Sequence, residues 1–255
     1  MSDGALSGTV ALVTGASSGI GEATARAVAC AGAAVALVAR RGDRLRTIAR
    51  EIESAGGHAL PVEVDITERE SAVAAVERTV GELGRLDILV NNAGVMLLGP
   101  AVGAPIDEWE RMLEINVRGL LYCAHAALPH LLEAAAGGPR QVADMVNLSS
   151  VAGRVPRSGS AVYNLTKHGV GAFSEALRQE VAERHVRISV VEPGAVETEL
   201  QSHNRPEIRD AIAQRFAAVE TLQAPDIAET ILFIVTRPRR MTVNEVMIRP
   251  SNQAG

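Results

Sequence analysis

Between Ser149 and Lys167 the chain reads SSVAGRVPRSGSAVYNLTK, bringing a serine, a tyrosine and a lysine into one short span. From Ala161 onward apolar residues recur at three and four spacing (Val162, Leu165, Val170, Phe173, Leu177, Val181), which predicts a helix. Tyr163 and Lys167 then share a face, one turn apart. An ammonium roughly 4 Å from a phenol favours the phenolate by about 4 kcal/mol at an effective dielectric near 20, less any desolvation cost. The tyrosine is therefore expected to titrate below its ordinary value of about 10. A phenol tuned this way can protonate a carbonyl oxygen or deprotonate an alcohol. Taken alone, a YxxxK pair is more often an ordinary helix face, and the surrounding chain has to decide.

Those residues need a scaffold, and the chain supplies alternating apolar runs and helical stretches. Thr9–Thr14 reads as a buried strand running into Gly15–Gly21 (GASSGIG) and a helix, the context in which a glycine-rich turn can cradle a phosphate. Its spacing is G-x-x-x-G-x-G rather than the commoner G-x-G-x-x-G. A second strand, Ala34–Ala39, ends on Arg40 and Arg41. An acidic residue there would hold the ribose of NAD, whereas arginines fit a phosphate, so NADP is expected; a solvated basic turn before the helix Asp43–Ser54 is the alternative. The third strand, His58–Val64, ends at Asp65, which either contacts adenine or caps a helix Glu68–Leu83 through capping-box spacing.

A fourth strand, Arg85–Val90, runs into Asn91–Gly94 (NNAG). One long helix is expected from Ile106 to about Ala135, with Asn116 as a polar residue in its middle; either a structural hydrogen bond or a local break that holds a water would accommodate it. Val142–Leu148 is the fifth strand and ends at Ser149 and Ser150, and Val186–Val191 is the sixth and ends at Glu192-Pro193-Gly194. The polar stretch 195–223 reads as a lid, followed by a helix Pro225–Thr236 and a last strand Val243–Ile248. No repeat or linker interrupts residues 1–255, so a single domain is expected.

The composition narrows the class. A net charge of −5 over 255 residues gives no basic footprint for nucleic acid. Aromatics are 2% of a chain that is 47% apolar, which predicts an aliphatic core such as a parallel sheet covered by helices. Cys30 and Cys123 read as small core residues, consistent with a reducing cytoplasm. No signal peptide is expected from MSDGALSG, and no membrane span from any apolar run. His125 and His130 are five apart on a helix, so no metal site is expected.

In order and spacing, TGASSGIG (Thr14–Gly21), Asp65, NNAG, Asn116 in EINVRG, NLSS (Asn147–Ser150), YNLTK (Tyr163–Lys167) and PGAVET (Pro193–Thr198) strongly resemble the short-chain dehydrogenase/reductase family over nearly the whole chain. MLLGP, ALPHLL and the VNEVMIRP ending look most like the clavulanic-acid dehydrogenase subgroup and neighbouring NADP-dependent reductases, hence an expected place in secondary metabolism. The resemblance implies an α/β Rossmann-type doubly wound fold with a seven-stranded parallel sheet and a likeness in assembly, a homotetramer. It implies that Tyr163 is the general acid/base, that Lys167 lowers its pKa and holds the nicotinamide ribose, that Ser150 steadies the substrate oxygen, and that Asn116 keeps a water connecting Lys167 to solvent. It implies NADP(H) contacts at Gly15, Ser17, Ser18, Gly19, Ile20, Gly21, Arg40, Arg41, Asp65, Ile66, Asn92, Ala93, Gly94, Pro193, Gly194, Val196 and Thr198. Ser18 stands where NADP-using members often carry a basic residue, which leaves cofactor choice to Arg40 and Arg41.

The expected function is NADPH-dependent reduction of an aldehyde or ketone to an alcohol. The alternatives are an NAD-dependent alcohol dehydrogenase and a non-catalytic NAD(P)-binding regulator. The pocket is expected among Val95–Val102, Val151–Ser160 and the lid, with Arg154, Arg157 and His203 as polar contacts and a medium-sized, partly apolar carbonyl compound as substrate.

Overall fold

The computed structural model describes residues 4–253. The first three residues of MSDGALSG and the last two of the chain, on which part of the single-domain and signal-peptide expectations rests, lie outside the described residues.

Each apolar run becomes a buried parallel strand, because strands covered on both faces by helices have no polar side to present. β1 (Val10–Thr14), α1 (Gly19–Cys30), β2 (Ala34–Ala39), α2 (Gly42–Ser54), β3 (His58–Glu63), α3 (Arg69–Leu83) and β4 (Ile88–Asn91) build one half. The other half contains α4 (Ile106–Leu113), α5 (Leu120–Gly137), β5 (Ala143–Leu148), α6 (Ala161–Val181) and β6 (Val186–Pro193). Then come β7 (Val196–Glu197), α7 (Pro206–Phe216), β8 (Leu222–Gln223), α8 (Ala224–Val235) and β9 (Glu245–Ile248). Seven strands form one parallel sheet in the order β3-β2-β1-β4-β5-β6-β9, the doubly wound arrangement expected.

Successive strand residues feed opposite layers. Ala11 and Val13 of β1 pack with α1, α2 and α8, while Leu12 packs with α3, α5 and α6. The connection order reverses between β1 and β4, which opens a crevice above their carboxyl ends.

Four expectations change. The single helix from Ile106 is instead α4 and α5 joined by a π-helical turn, Glu114–Gly119, centred on Asn116. The lid holds two short strands, β7 and β8, paired in parallel, besides a 3-10 turn at Glu199–His203 and α7. Cys30 is exposed at the end of α1, and only Cys123 belongs to the core. α3 begins at Arg69 with Glu68 at its N-cap, so Asp65 does not cap it; its carboxylate accepts instead from the Thr67 N–H at 3.0 Å and hydroxyl at 2.9 Å.

A buried ionic knot ties β5 to β6. Asp144 is fully buried and accepts from Arg187 Nε at 2.7 Å and Arg140 Nη2 at 2.6 Å. Arg187 spends its other donors on backbone carbonyls, among them Met241 at 2.8 Å. Among the described residues no helix is long and apolar enough to cross a membrane, and no three histidine, cysteine, aspartate or glutamate side chains are grouped to hold a metal. His130 lies against Glu77 at 3.1 Å.

Candidate active site

The turn after β1 is held open by backbone geometry. Gly15 sits at φ +67°, and a Cβ there would meet the Asn92 amide at 2.8 Å and Ala93 Cα at 2.9 Å. Thr14 locks the neighbouring turn in place: its Oγ1 accepts from the Asn92 and Ala93 N–H groups at 3.0 and 3.1 Å. Asn92 Nδ2 returns a bond to the Thr14 carbonyl at 2.9 Å. The NNAG amides thus brace β1 against β4 and leave Gly94 free to approach a ligand. One strand over, Asn91 Nδ2 donates to Asn147 at 2.9 Å, and Asn147 to Ser174 at 2.9 Å, carrying the same polar brace to α6.

A cavity of about 420 Å³ fills the crevice. Gly15, Ser17, Ser18, Gly19 and Ile20 wall its β1 end, Arg40, Arg41, Asp65 and Ile66 its β2–β3 side, and Asn92, Ala93 and Gly94 its floor. Ser150, just past the end of β5, and Tyr163 and Lys167 on α6 face it, and Pro193, Gly194, Val196 and Thr198 close it. Two expected residues lie behind the wall. Gly21 is a packing glycine, since a Cβ there would meet the Gly15 carbonyl oxygen at 2.3 Å and the Asn92 amide at 2.5 Å. Asn116, 2% exposed, works from beneath.

Asn116 explains the π-helical turn. Its Oδ1 accepts from the Val95 N–H at 2.8 Å, and its Nδ2 donates to the Val95 carbonyl at 2.9 Å and to Thr166 at 3.2 Å. An α-helical register would carry the amide away from these partners, so the helix takes in an extra residue at this point. Thr166 is the neighbour of Lys167, and Asn116 thereby couples α5 to the face that presents the lysine.

The Tyr163–Lys167 face is as expected; its electrostatics are not. Lys167 Nζ donates to the Leu148 carbonyl at 2.8 Å and stands 5.8 Å from the Tyr163 ring centroid. Burial pushes the Tyr163 phenol up to about 12, opposed by the Ser150 hydroxyl, and pushes Lys167 down to about 8. Desolvation outweighs the lysine's field because both groups are withdrawn from water while the ammonium is directed at a carbonyl. Burial thus favours the neutral phenol in this cavity. Ser150 Oγ accepts from the Ala152 N–H at 3.1 Å, which fixes its position, and Ser149 instead bonds the Lys167 carbonyl at 2.9 Å as part of the scaffold.

Arg40 and Arg41 serve different partners. Arg40 lies 3.6 Å from Asp65, which helps hold that carboxyl low behind the larger effect of its Thr67 bonds. Arg41 forks onto the first turn, donating to Ser17 Oγ at 3.0 Å and Ser18 Oγ at 2.6 Å. Its third contact is Glu199, at 2.7 Å, which also pairs with Arg44 at 2.7 Å. Glu199 is held at about 2 by these two arginines. Neither Glu199 nor Arg44 stood out in the sequence, because the lid that brings them together is distant in the chain.

Asn204 was missed in the same way. It is buried and bridges the lid to the pocket loop, accepting from the Leu98 N–H at 2.8 Å and donating to the Met96 carbonyl at 2.8 Å. Of the expected polar contacts, Arg154 is engaged by Glu192 at 2.7 Å and by Glu245, away from the cavity, whereas Arg157 and His203 line it.

A phosphate-bearing dinucleotide fits this donor set. The Gly15 cradle, the N-terminus of α1, whose N-cap Ser18 makes no side-chain cap bond, and the Arg41 fork converge on one end of the cavity.

A family model described as short chain dehydrogenase matches residues 9–209. An uncharacterised oxidoreductase of Staphylococcus saprophyticus is 36% identical over 249 residues, covering 96% of this chain and 97% of its own. A crystal structure of a Mycobacterium marinum short-chain dehydrogenase/reductase superposes with TM-score 0.86 at 30% identity, covering 98% and 97% of the two chains. A metagenomic short-chain oxidoreductase in complex with NADP gives 0.80 at 31%, covering 97% and 99%. A Brucella melitensis 3-ketoacyl-(acyl-carrier-protein) reductase complexed with NADH gives 0.83 at 34%, covering 96% and 98%.

Proposed function

The chain is an oxidoreductase of the short-chain dehydrogenase family, and on that premise we propose that it reduces an aldehyde or ketone to an alcohol with NADPH. The observation that carries the reading is geometric: Tyr163 and Ser150 line the same cavity as the glycine turn and Arg41, and burial raises the phenol's value, which favours its neutral form. A neutral phenol is ready to give its proton to a carbonyl oxygen as that oxygen gains charge. Ser150, held by the Ala152 N–H, offers the second hydrogen bond to the same oxygen. The nicotinamide, when bound, supplies the hydride.

The other expected residues take their roles around this pair. Lys167, desolvated and aimed at the Leu148 carbonyl, offers its remaining protons to the ribose hydroxyls. Asn116 positions Thr166, beside Lys167, and the Val95 backbone, and a water that relays protons from Lys167 to solvent would be held beside it. The pyrophosphate would rest on the glycine turn and the start of α1. Arg41, with Arg40 beside it, would take the 2′-phosphate, which supports NADPH over NADH. Thr198 and the Pro193-Gly194 turn close on the nicotinamide end.

Leu113, Leu121 and Leu165 are exposed on the helices around Asn116 and Tyr163, a feature that supports a homotetramer built on those faces. The two free cysteines fit a cytoplasmic setting. A panel of aldehydes and ketones, with NADPH consumption followed by absorbance, tests the activity: turnover supports it, and silence across the panel favours a non-catalytic binding protein. Oxidation of alcohols with NAD and no reduction with NADPH would reverse the direction proposed.

A further inference from the structure

The cavity is more basic than the protein that contains it. Its walls carry Arg40, Arg41, Arg157, Lys167 and Arg215 against two acids, Asp65 and Glu199, in a chain whose net charge is −5. Both acids are already committed, Asp65 to Arg40 and Glu199 to Arg41 and Arg44. Arg40 and Arg41 stand at the end that fits the cofactor phosphate. Arg157 and Arg215 stand elsewhere, and they have no such assignment.

Arg157 belongs to the substrate end by its attachments. Its carbonyl accepts from Asn164 Nδ2 at 3.1 Å and from Ser160 Oγ at 2.9 Å, so it is tied to α6 beside Tyr163. Among the described residues its guanidinium has no carboxylate partner, although the residue is only half-exposed. Arg215 approaches from α7 of the lid; its guanidinium lies over the Phe216 ring, 5.5 Å from the centroid, and has no carboxylate partner either. Behind the Pro193-Gly194 turn, Arg249 Nε is buried without a hydrogen-bond partner. Its Cα lies 3.3 Å from where a Cβ on Gly194 would stand. Burial, then the facing charges of Arg215 and Arg249, depresses the Arg157 guanidinium below its ordinary value. Arg157 and Arg215 line one cavity with no carboxylate paired to either among the described residues, so their repulsion is uncompensated, and a bound anion removes that cost.

We propose that Arg157 and Arg215, backed by the charge of Arg249, form an anion subsite, and that the substrate is a carbonyl compound carrying a carboxylate at the end remote from the reacting carbon. The inference rests on the carbonyl-reductase reading and names its substrate class. The walls near Val95, Met96 and Leu98 remain aliphatic, so an apolar spacer between carbonyl and carboxylate suits the shape. A planar guanidinium takes a carboxylate bidentately, which would orient the molecule as well as hold it.

The test is binding, made independent of turnover. The protein saturated with NADP⁺, which cannot reduce an aldehyde, is titrated with matched probes: ω-formyl carboxylic acids of four to ten carbons, 4-carboxybenzaldehyde, and the methyl ester of each. At least one acid is expected to bind tenfold or more tightly than its ester. That preference should fall to threefold or less in Arg157→Gln and Arg215→Gln, with ester affinity unchanged, and Arg157→Lys should recover part of it. No acid preference anywhere in the panel, or a preference that survives both glutamine variants, overturns the subsite. The two readings fail separately. Acid preference without NADPH consumption leaves the subsite and removes the reductase, while reduction of acids and esters with equal kcat/KM does the reverse.

Discussion

Lys167→Met should make the cofactor-free protein more stable at neutral pH while removing its activity. The lysine's folded-state value is about 8 against an ordinary 10.5. At pH 7 the ammonium is charged in both folded and unfolded chains, so the folded state carries the whole cost of its desolvation. The gap of about 2.5 between the two values corresponds to about 3 kcal/mol at 1.36 kcal/mol per pKa unit. Methionine removes that cost but leaves the Leu148 carbonyl without its donor at 2.8 Å, returning about 1 kcal/mol. A net gain of about 2 kcal/mol is expected at pH 7, or roughly 5 °C in Tm for a domain of this size. A depressed folded-state value contributes stability that is present above the unfolded value and lost as pH falls through the folded one. Relative to the variant, the wild type should therefore gain from pH 8 to pH 10.5. Urea unfolding of both proteins at pH 7, 8, 9 and 10 reads the difference directly, and groups common to both cancel. A variant less stable than wild type at pH 7, or a difference that does not change with pH, would refute the reasoning.

Arg41→Ala should weaken NADPH by tenfold or more, about 1.4 kcal/mol, since a charge-assisted bond to phosphate is worth about 1.5–3 kcal/mol and this side chain is partly solvated. NADH should change less than threefold in the same fluorescence titration; equal losses for both would assign Arg41 to the turn alone. Glu199→Gln releases Arg41 and Arg44 from their shared carboxylate, and NADPH should then bind more tightly, by up to about fivefold given the exposure of the pair. Weaker NADPH binding in that variant would mean that Glu199 holds the site open rather than competing for it. Arg187→Met leaves Asp144 buried with Arg140 as its remaining cation, and should cost about 3 kcal/mol in urea unfolding; a change under 1 kcal/mol would show the knot to be dispensable.

Much of the architecture could be read before any coordinates because it rests on local patterns. The run Ala34–Ala39 is a strand in both sequence and structure, and α6 begins at Ala161 where the periodicity places it. The strand–turn–helix at Gly15 needed only the meaning of glycine between an apolar run and a helical one. What could not be read depends on partners far along the chain. Asn116 breaks its helix because Val95, on another loop, takes up both ends of its amide. Arg154 and Arg157 look alike in sequence, and only the positions of Glu192 and Glu245 show which is engaged. The sign of the Tyr163 shift was missed for a related reason. Spacing brings a charge near a phenol, but the dielectric around them belongs to the whole fold. The tie of Glu199 to Arg41 and Arg44 has no signal in sequence at all.

Tyr163→Phe tests the central claim most directly, because it deletes one oxygen from the cavity wall that Tyr163 shares with Lys167 and Ser150. On any aldehyde or ketone that the wild type reduces, kcat should fall by two orders of magnitude or more while the Kd for NADPH stays within threefold. A variant that retains a tenth or more of wild-type kcat, with NADPH still bound, would contradict proton donation by this phenol.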